Sequence, residues 1–107
     1  MLECQKIKEE IMIVHIVMFK LKEEDKKASL VKIKAVLEQL PKKIEELISM
    51  EVGINFDESQ RAFDLSLYST FKTKADLQAY AVHPAHLKVV EFIKSVAIES
   101  KVVDYIQ

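Results

Sequence analysis

The sequence predicts an α+β fold, one four-stranded antiparallel sheet with its helices on one face, and three observations predict it. The run Ile13 to Leu21 (IVHIVMFKL) is apolar and β-branched almost throughout, which marks a strand covered on both faces and therefore central in its sheet. Leu47 to Phe56 and Arg61 to Phe71 both alternate apolar with polar residues, and Asp57-Glu58-Ser59-Gln60 between them supplies a turn, so the two form a hairpin. Stretches of helical periodicity lie on either side of that hairpin, and a short strand closes the chain. The order strand, helix, strand, strand, helix pair, strand then leaves few alternatives under the rules that govern connections.

Composition sets the bounds. With 107 residues, half of them hydrophobic, the chain fits one domain that buries roughly 60–70% of its unfolded surface. A net charge of -1, from 16 basic and 17 acidic residues, gives no field that would gather nucleic acid or anionic lipid. Cys4 is the only cysteine, which excludes an intrachain disulfide and a zinc cluster and points to a reducing, cytoplasmic compartment. No apolar run approaches the ~20 residues of a membrane span, and the N-terminus lacks the order of a signal peptide.

Residues 1–11 (MLECQKIKEEI) carry only a weak stripe through Leu2 and Ile7 and are expected to form a loosely attached arm, with the domain proper over 12–107. A purine-rich coding stretch at Lys8-Glu9-Glu10 would mark Met12 as a start of translation, which the nucleotide sequence decides. In the first strand, Ile13, His15, Val17, Phe19 and Leu21 share one face and Val14, Ile16 and Met18 the other. His15 among hydrophobes either bonds neighbouring backbone or lines a pocket. Ala28, Leu30, Val31, Ile33, Ala35, Val36 and Leu37 to Leu40 recur at helical spacing, with Glu23, Glu24 and Asp25 in the first turn and Pro41 at the end. The charged run Lys42 to Glu46 reads as a solvated connector.

In the second strand Ile48, Met50, Val52, Ile54 and Phe56 share a face, and Gly53, the one glycine, marks a bulge or a close backbone approach. The third strand sets Phe63, Leu65, Leu67, Ser69 and Phe71 against Asp64, Ser66, Tyr68 and Thr70. That second, polar face suits a partner or a wet cavity as well as open solvent. Thr73 with Asp76 makes a variant capping box and opens a helix through Val82, with Leu77, Tyr80 and Ala81 inward. A further helix runs from Pro84 to about Glu99 on Leu87, Val90 and Ile93, or on Val89, Phe92 and Val96, and Lys101 to Ile106 is the last strand. Helices on one face leave the doubly apolar first strand bare on the other. A second copy of the sheet is the simplest cover, so a homodimer with sheets facing each other is expected.

The chemistry is concentrated in Tyr80-Ala-Val-His-Pro-Ala-His86, which holds two of the three histidines and one of the two prolines. A residue before proline is pushed out of the helical region and proline suits the first turn of a new helix, so His83 is expected at a break between helices. Tyr80 then ends one helix and His86 begins the next, and their rings can converge. The same residues also suit anchoring and capping at the break. Metal binding by His83 and His86 is disfavoured, because no third soft ligand is near in sequence.

These pieces together, His15-Ile-Val-Met-Phe-Lys20, Gly53, Asp64 to Phe71, Leu77-x-x-Tyr80-x-x-His83-Pro-x-His86 and Val103-Asp-Tyr105, resemble the stress-responsive A/B barrel (Dabb) domain from Met12 to Ile106. The resemblance implies a ferredoxin-like fold and a dimeric α/β barrel. It implies no single activity, since the family holds stress proteins, proteins of unassigned role and a plant polyketide cyclase. Carried over from that cyclase, the catalytic pair is His86 as general base and Tyr80 as hydrogen-bond donor to an enolate, without metal or cofactor. His15, Val17, Phe19 and His83 become ligand-lining residues. The chain departs from the cyclase in having no histidine between Phe63 and Phe71 and no aromatic on the first helix. The expectation is therefore a small homodimeric barrel of unassigned activity that binds a small apolar ligand, with a cofactor-free lyase or cyclase as the alternative.

Overall fold

The computed structural model describes residues 11–107, so nearly all of the expected arm, Cys4 included, lies outside the described residues. Eight elements follow in chain order: β1 (Ile13–Leu21), α1 (Lys26–Glu38), α2 (Leu40–Lys43), β2 (Ser49–Ile54), β3 (Leu65–Phe71), α3 (Lys74–Ala81), α4 (Pro84–Val96) and β4 (Ala97–Ile106). They build one antiparallel sheet in the order β2-β3-β1-β4, with β1 central as its composition demands. Among the described residues no helix is long and apolar enough to cross a membrane.

The helices lie on the face of the sheet that carries the odd-numbered residues of β1. Ile13 and Leu21 of β1, Val52 of β2, and Leu65, Leu67 and Phe71 of β3 meet Leu30, Ile33, Leu37, Tyr80, Val89 and Ile93 from the helices in one core. On the opposite face Ile16 and Tyr68 are half-buried, while Met18, Val103 and Tyr105 stand exposed, so that face is apolar and, among the described residues, bare of helix. Only Val14 and Thr70 among its named side chains are fully buried.

Several elements differ from expectation for identifiable reasons. The acidic triplet precedes α1 and does not occupy its first turn: Asp25 is the N-cap and takes the left-handed conformation (φ 53°). Of the expected α1 stripe, Leu30, Ile33 and Leu37 are buried, whereas Ala28, Val31 and Ala35 face outward, because the larger aliphatics at three- and four-residue spacing fill the core better. Pro41 does not simply stop a helix. It lies in the first turn of α2, where its missing N–H costs nothing. The run Lys42 to Glu46 is not a solvated connector throughout, since Ile44 inside it is wholly buried and Leu47 follows it into the core.

The hairpin is also shorter than predicted. Ile54 pairs with Leu65 as its last rung, which leaves Phe56 97% exposed in a connecting loop. Asp64 explains the stop: its amide donates to the Phe19 carbonyl (2.8 Å), and its carboxylate accepts from the Leu21 amide (2.8 Å) and from Lys26 Nζ (3.4 Å). It pins the end of β1 instead of extending β3 toward Arg61. Gly53 marks neither bulge nor close approach, because the register runs unbroken through it and a Cβ there would meet Ser66 Oγ at an ordinary 3.4 Å. Among the described residues the register shifts only between β1 and β4, at Lys20/Leu21.

The largest difference is β4. It starts at Ala97, directly after α4 ends at Val96, and not at Lys101. The Lys22 amide holds the Val96 carbonyl at 2.9 Å, so the end of β1 ties down the junction. Of the two stripes offered for α4, the one through Val89, Phe92 and Val96 packs inward together with Ile93, while Leu87 is half exposed.

Candidate functional site

The motif at the helix break folds as its residue types require. Thr73 caps α3 by accepting from the Asp76 amide (3.0 Å), and α3 ends at Ala81. His83, extended at φ -66° and ψ 135°, is the N-cap of α4, and Pro84 takes the first turn. The His83 ring performs the capping: its Nδ1 accepts from the Ala85 amide at 3.0 Å, so in the neutral ring the proton sits on Nε2.

The break turns Tyr80 and His86 toward each other. Their ring centroids lie 4.2 Å apart at 39°, and Phe71 of β3 closes on Tyr80 from the sheet at 5.0 Å and 56°. His15 of β1 meets Tyr80 edge-on at 6.3 Å and 67°. Four residues from β1, β3, α3 and α4 thus form one nest on the helix side of the sheet.

Protonation states in the nest follow from its contacts. Tyr80 is 1% exposed, and its hydroxyl has no hydrogen-bond partner among the described residues. Burial pushes the phenol above its ordinary pKa, so Tyr80 stays protonated and its O–H is a donor in want of an acceptor. His86 Nδ1 lies 3.1 Å from the Ala81 carbonyl, which only accepts; Nδ1 therefore carries the proton and Nε2 keeps the lone pair. Burial holds His86 below the ordinary histidine pKa, the Ala81 carbonyl pulls it back up, and His15 and His83 lower it further. It is neutral at pH 7.

The sequence left open whether Tyr80 and His86 converge, with His15 at the edge; in the structure the three rings are neighbours. Val17 and Phe19 continue the His15 face of β1 and pack against the core. Phe19 also lines a groove of about 360 Å³ between α4 and β4, with Val90, Ile93 and Ala97. His83 stands apart from the nest, committed to its own helix and lining a hollow between α1, α2 and α4. One partner was not assigned from the sequence: Asp104 of β4 takes His15 Nδ1 in a close charge-assisted contact. His15 is thereby bracketed by its two strand neighbours, with Ser69 Oγ of β3 donating to its carbonyl at 3.2 Å. Among the described residues no three of His, Cys, Asp or Glu gather as a metal set.

The family model described as the stress responsive A/B barrel domain matches residues 13–107. The chain belongs to that family. Among solved structures, this A/B barrel domain is similar to a protein from Bacteroides fragilis described as dimeric, ferredoxin-like and of unknown function, at 33% identity over 88% of this chain and 94% of that one, TM-score 0.81. A dimeric ferredoxin-like protein of unknown function from a Jannaschia species is 28% identical over 88% of this chain and 97% of that one, TM-score 0.74. A hydroxynitrile lyase from Passiflora edulis shares the fold at 20% identity over 90% and 93%, TM-score 0.80. No curated protein matches the A/B barrel chain. The ferredoxin-like α+β architecture expected from the sequence is thus the fold of the family and of these neighbours.

Proposed function

We propose that this A/B barrel domain is a homodimer, its two sheets stacked through the faces that carry Ile16, Met18, Tyr68, Val103 and Tyr105, and that the nest on the other face holds the carbonyl or hydroxyl end of a small, mostly apolar molecule. The dimer follows from an apolar sheet face without helical cover, and the Bacteroides and Jannaschia relatives are described as dimeric. A single observation carries the ligand: the Tyr80 hydroxyl is buried without a hydrogen-bond partner among the described residues. An unmatched buried donor costs about 1–3 kcal/mol, and a ligand oxygen at that position would recover it. Val17 and Phe19, partly buried against the core on the His15 face of β1, are the apolar residues that would meet such a molecule. The reducing interior of the cell is the compartment that a chain with one cysteine suits.

A second reading rests on the protonation states. Neutral His86 can take a proton from carbon alpha to a carbonyl at Nε2, and the Tyr80 O–H can hold the enolate oxygen that forms, with no cofactor in the step. The Passiflora protein is a lyase on this fold, which supports a lyase as compatible with the architecture.

Titrating the full chain with ethyl acetoacetate in D2O tests both readings. Saturable shifts around Tyr80 and His86 are expected, and Tyr80→Phe should weaken binding about tenfold, the worth of one hydrogen bond to a buried site. If the variant binds equally well, the site is wrong. Exchange of the alpha protons faster than in buffer, lost about a hundredfold in His86→Gln, would carry the enzyme reading. Binding without that exchange leaves the protein a binder of carbonyl ligands.

A further inference from the structure

We propose that the hollow between α1, α2 and α4 binds a medium-chain monocarboxylate, at a lining that shares no residue with the nest and independently of what the nest does. The cavity measures about 500 Å³, within the range of small-molecule sites. Its floor is apolar, built from Val36, Leu40 and Phe92, and its rim carries Lys32 of α1, Lys43 of α2 and Lys88 of α4. The lining includes no aspartate or glutamate. In a chain of net charge -1, three cations from three separate elements around one apolar floor are a local departure from the average.

The cations are available. All three lysines are exposed, and none is in an ion pair among the described residues, whereas Lys26, Lys34 and Lys101 each hold a carboxylate. Lys32 Nζ lies over the Phe92 ring, 4.2 Å from its centroid, which keeps one ammonium at the edge of the apolar floor. The start of α4 adds its positive dipole end.

The same start argues against phosphate. Pro84 has no N–H and the Ala85 N–H is taken by His83, so no fan of amides is left to cage a tetrahedral anion. Lysines act here as point charges without the fork of an arginine. One carboxylate among the ammonium groups, with an alkyl chain along Val36, Leu40 and Phe92, meets both the charge and the floor.

The test is a titration of the full-length protein with octanoate, followed by amide shifts, with 1-octanol and acetate as the tail-only and head-only controls. Saturable shifts are expected at Val36, Leu40, Val89 and Phe92, and 1-octanol and acetate should each bind at least about tenfold more weakly. The triple variant K32Q/K43Q/K88Q should lose octanoate by a similar factor while its remaining spectrum is unchanged. Raising salt from about 50 to 500 mM should weaken octanoate binding to the wild-type chain, which decides the role of charge even if the triple variant folds poorly. Equal binding of octanol, insensitivity to salt, or shifts confined to His15, Tyr80 and His86 would each overturn the proposal.

Discussion

The two neighbours of the central strand make opposite use of it. β3 pairs with β1 from Ile13 to Phe19 and buries Leu65, Leu67, Ser69 and Phe71, none more than 3% exposed. β4 pairs with β1 over an even longer register, yet every residue after Ala97 is exposed. Backbone pairing is therefore not what separates the strands. α3 packs on β3 and α1 on β2, whereas α4 meets β4 only about the strand's start and α3 only flanks its end, so a ladder of hydrogen bonds holds β4 in place without giving it a core. Among the described residues β4 is exposed along the face that carries Val103 and Tyr105, and cover of that face by a second copy is the physical content of the proposed dimer.

Substitution at matched positions gives the sharpest break of that comparison. Leu67→Ala in β3 should cost about 2–4 kcal/mol in urea unfolding, because a cavity is left under the helices. Val102→Ala, the residue across β1 from Leu67 on the same face, should change stability by less than about 0.5 kcal/mol. Equal costs would mean that β4 is covered after all.

Next in size is the other face of β4. Val103→Asp places a charge in the proposed sheet-to-sheet contact and should raise the dimer dissociation constant at least about a hundredfold, read by light scattering against concentration. A wild-type chain that is monomeric at micromolar concentration removes the dimer altogether.

At the helix break the effects are smaller. His83→Ala should lose about 1 kcal/mol through the missing cap, with most of it restored by His83→Asn. Smallest is the pH dependence set by His86. Its folded pKa lies below the unfolded value near 6.5, so the unfolded chain binds the proton more readily. Stability should hold above pH 6.5, fall as pH drops from there to the depressed folded value, and level off below it. His86→Gln, which can still donate to the Ala81 carbonyl, should flatten that slope.

What the sequence disclosed follows the same divide. The position of β1, the order of elements and the break at His83-Pro84 were legible because each depends on local rules: unbroken hydrophobicity, turn residues, and the stereochemistry of proline. That Tyr80 and His86 could converge was legible for the same reason, but that their rings do meet was not, because spacing across a helix break leaves their approach open. Asp104 as the partner of His15 was not, since it depends on where β4 begins, and Ala97 to Ser100 continue an apolar rhythm that reads equally well as helix. Ile44 was hidden by the charges around it, because a single buried residue between lysines and glutamates has no period. Asp64 read as part of a strand, and its clamp on the Leu21 amide involves a contact 43 residues distant.

The junction of α4 with β4 has a mechanical consequence. Ten strand residues span about 33 Å at the usual rise, and they leave the helix with no loop to absorb rotation. A tilt of about five degrees in α4 would swing the far tip at Ile106 by about 3 Å, provided β1 follows. A ligand settled beside Lys88 of α4 would thus push on the short arm of a lever whose long arm ends past Asp104 and Tyr105.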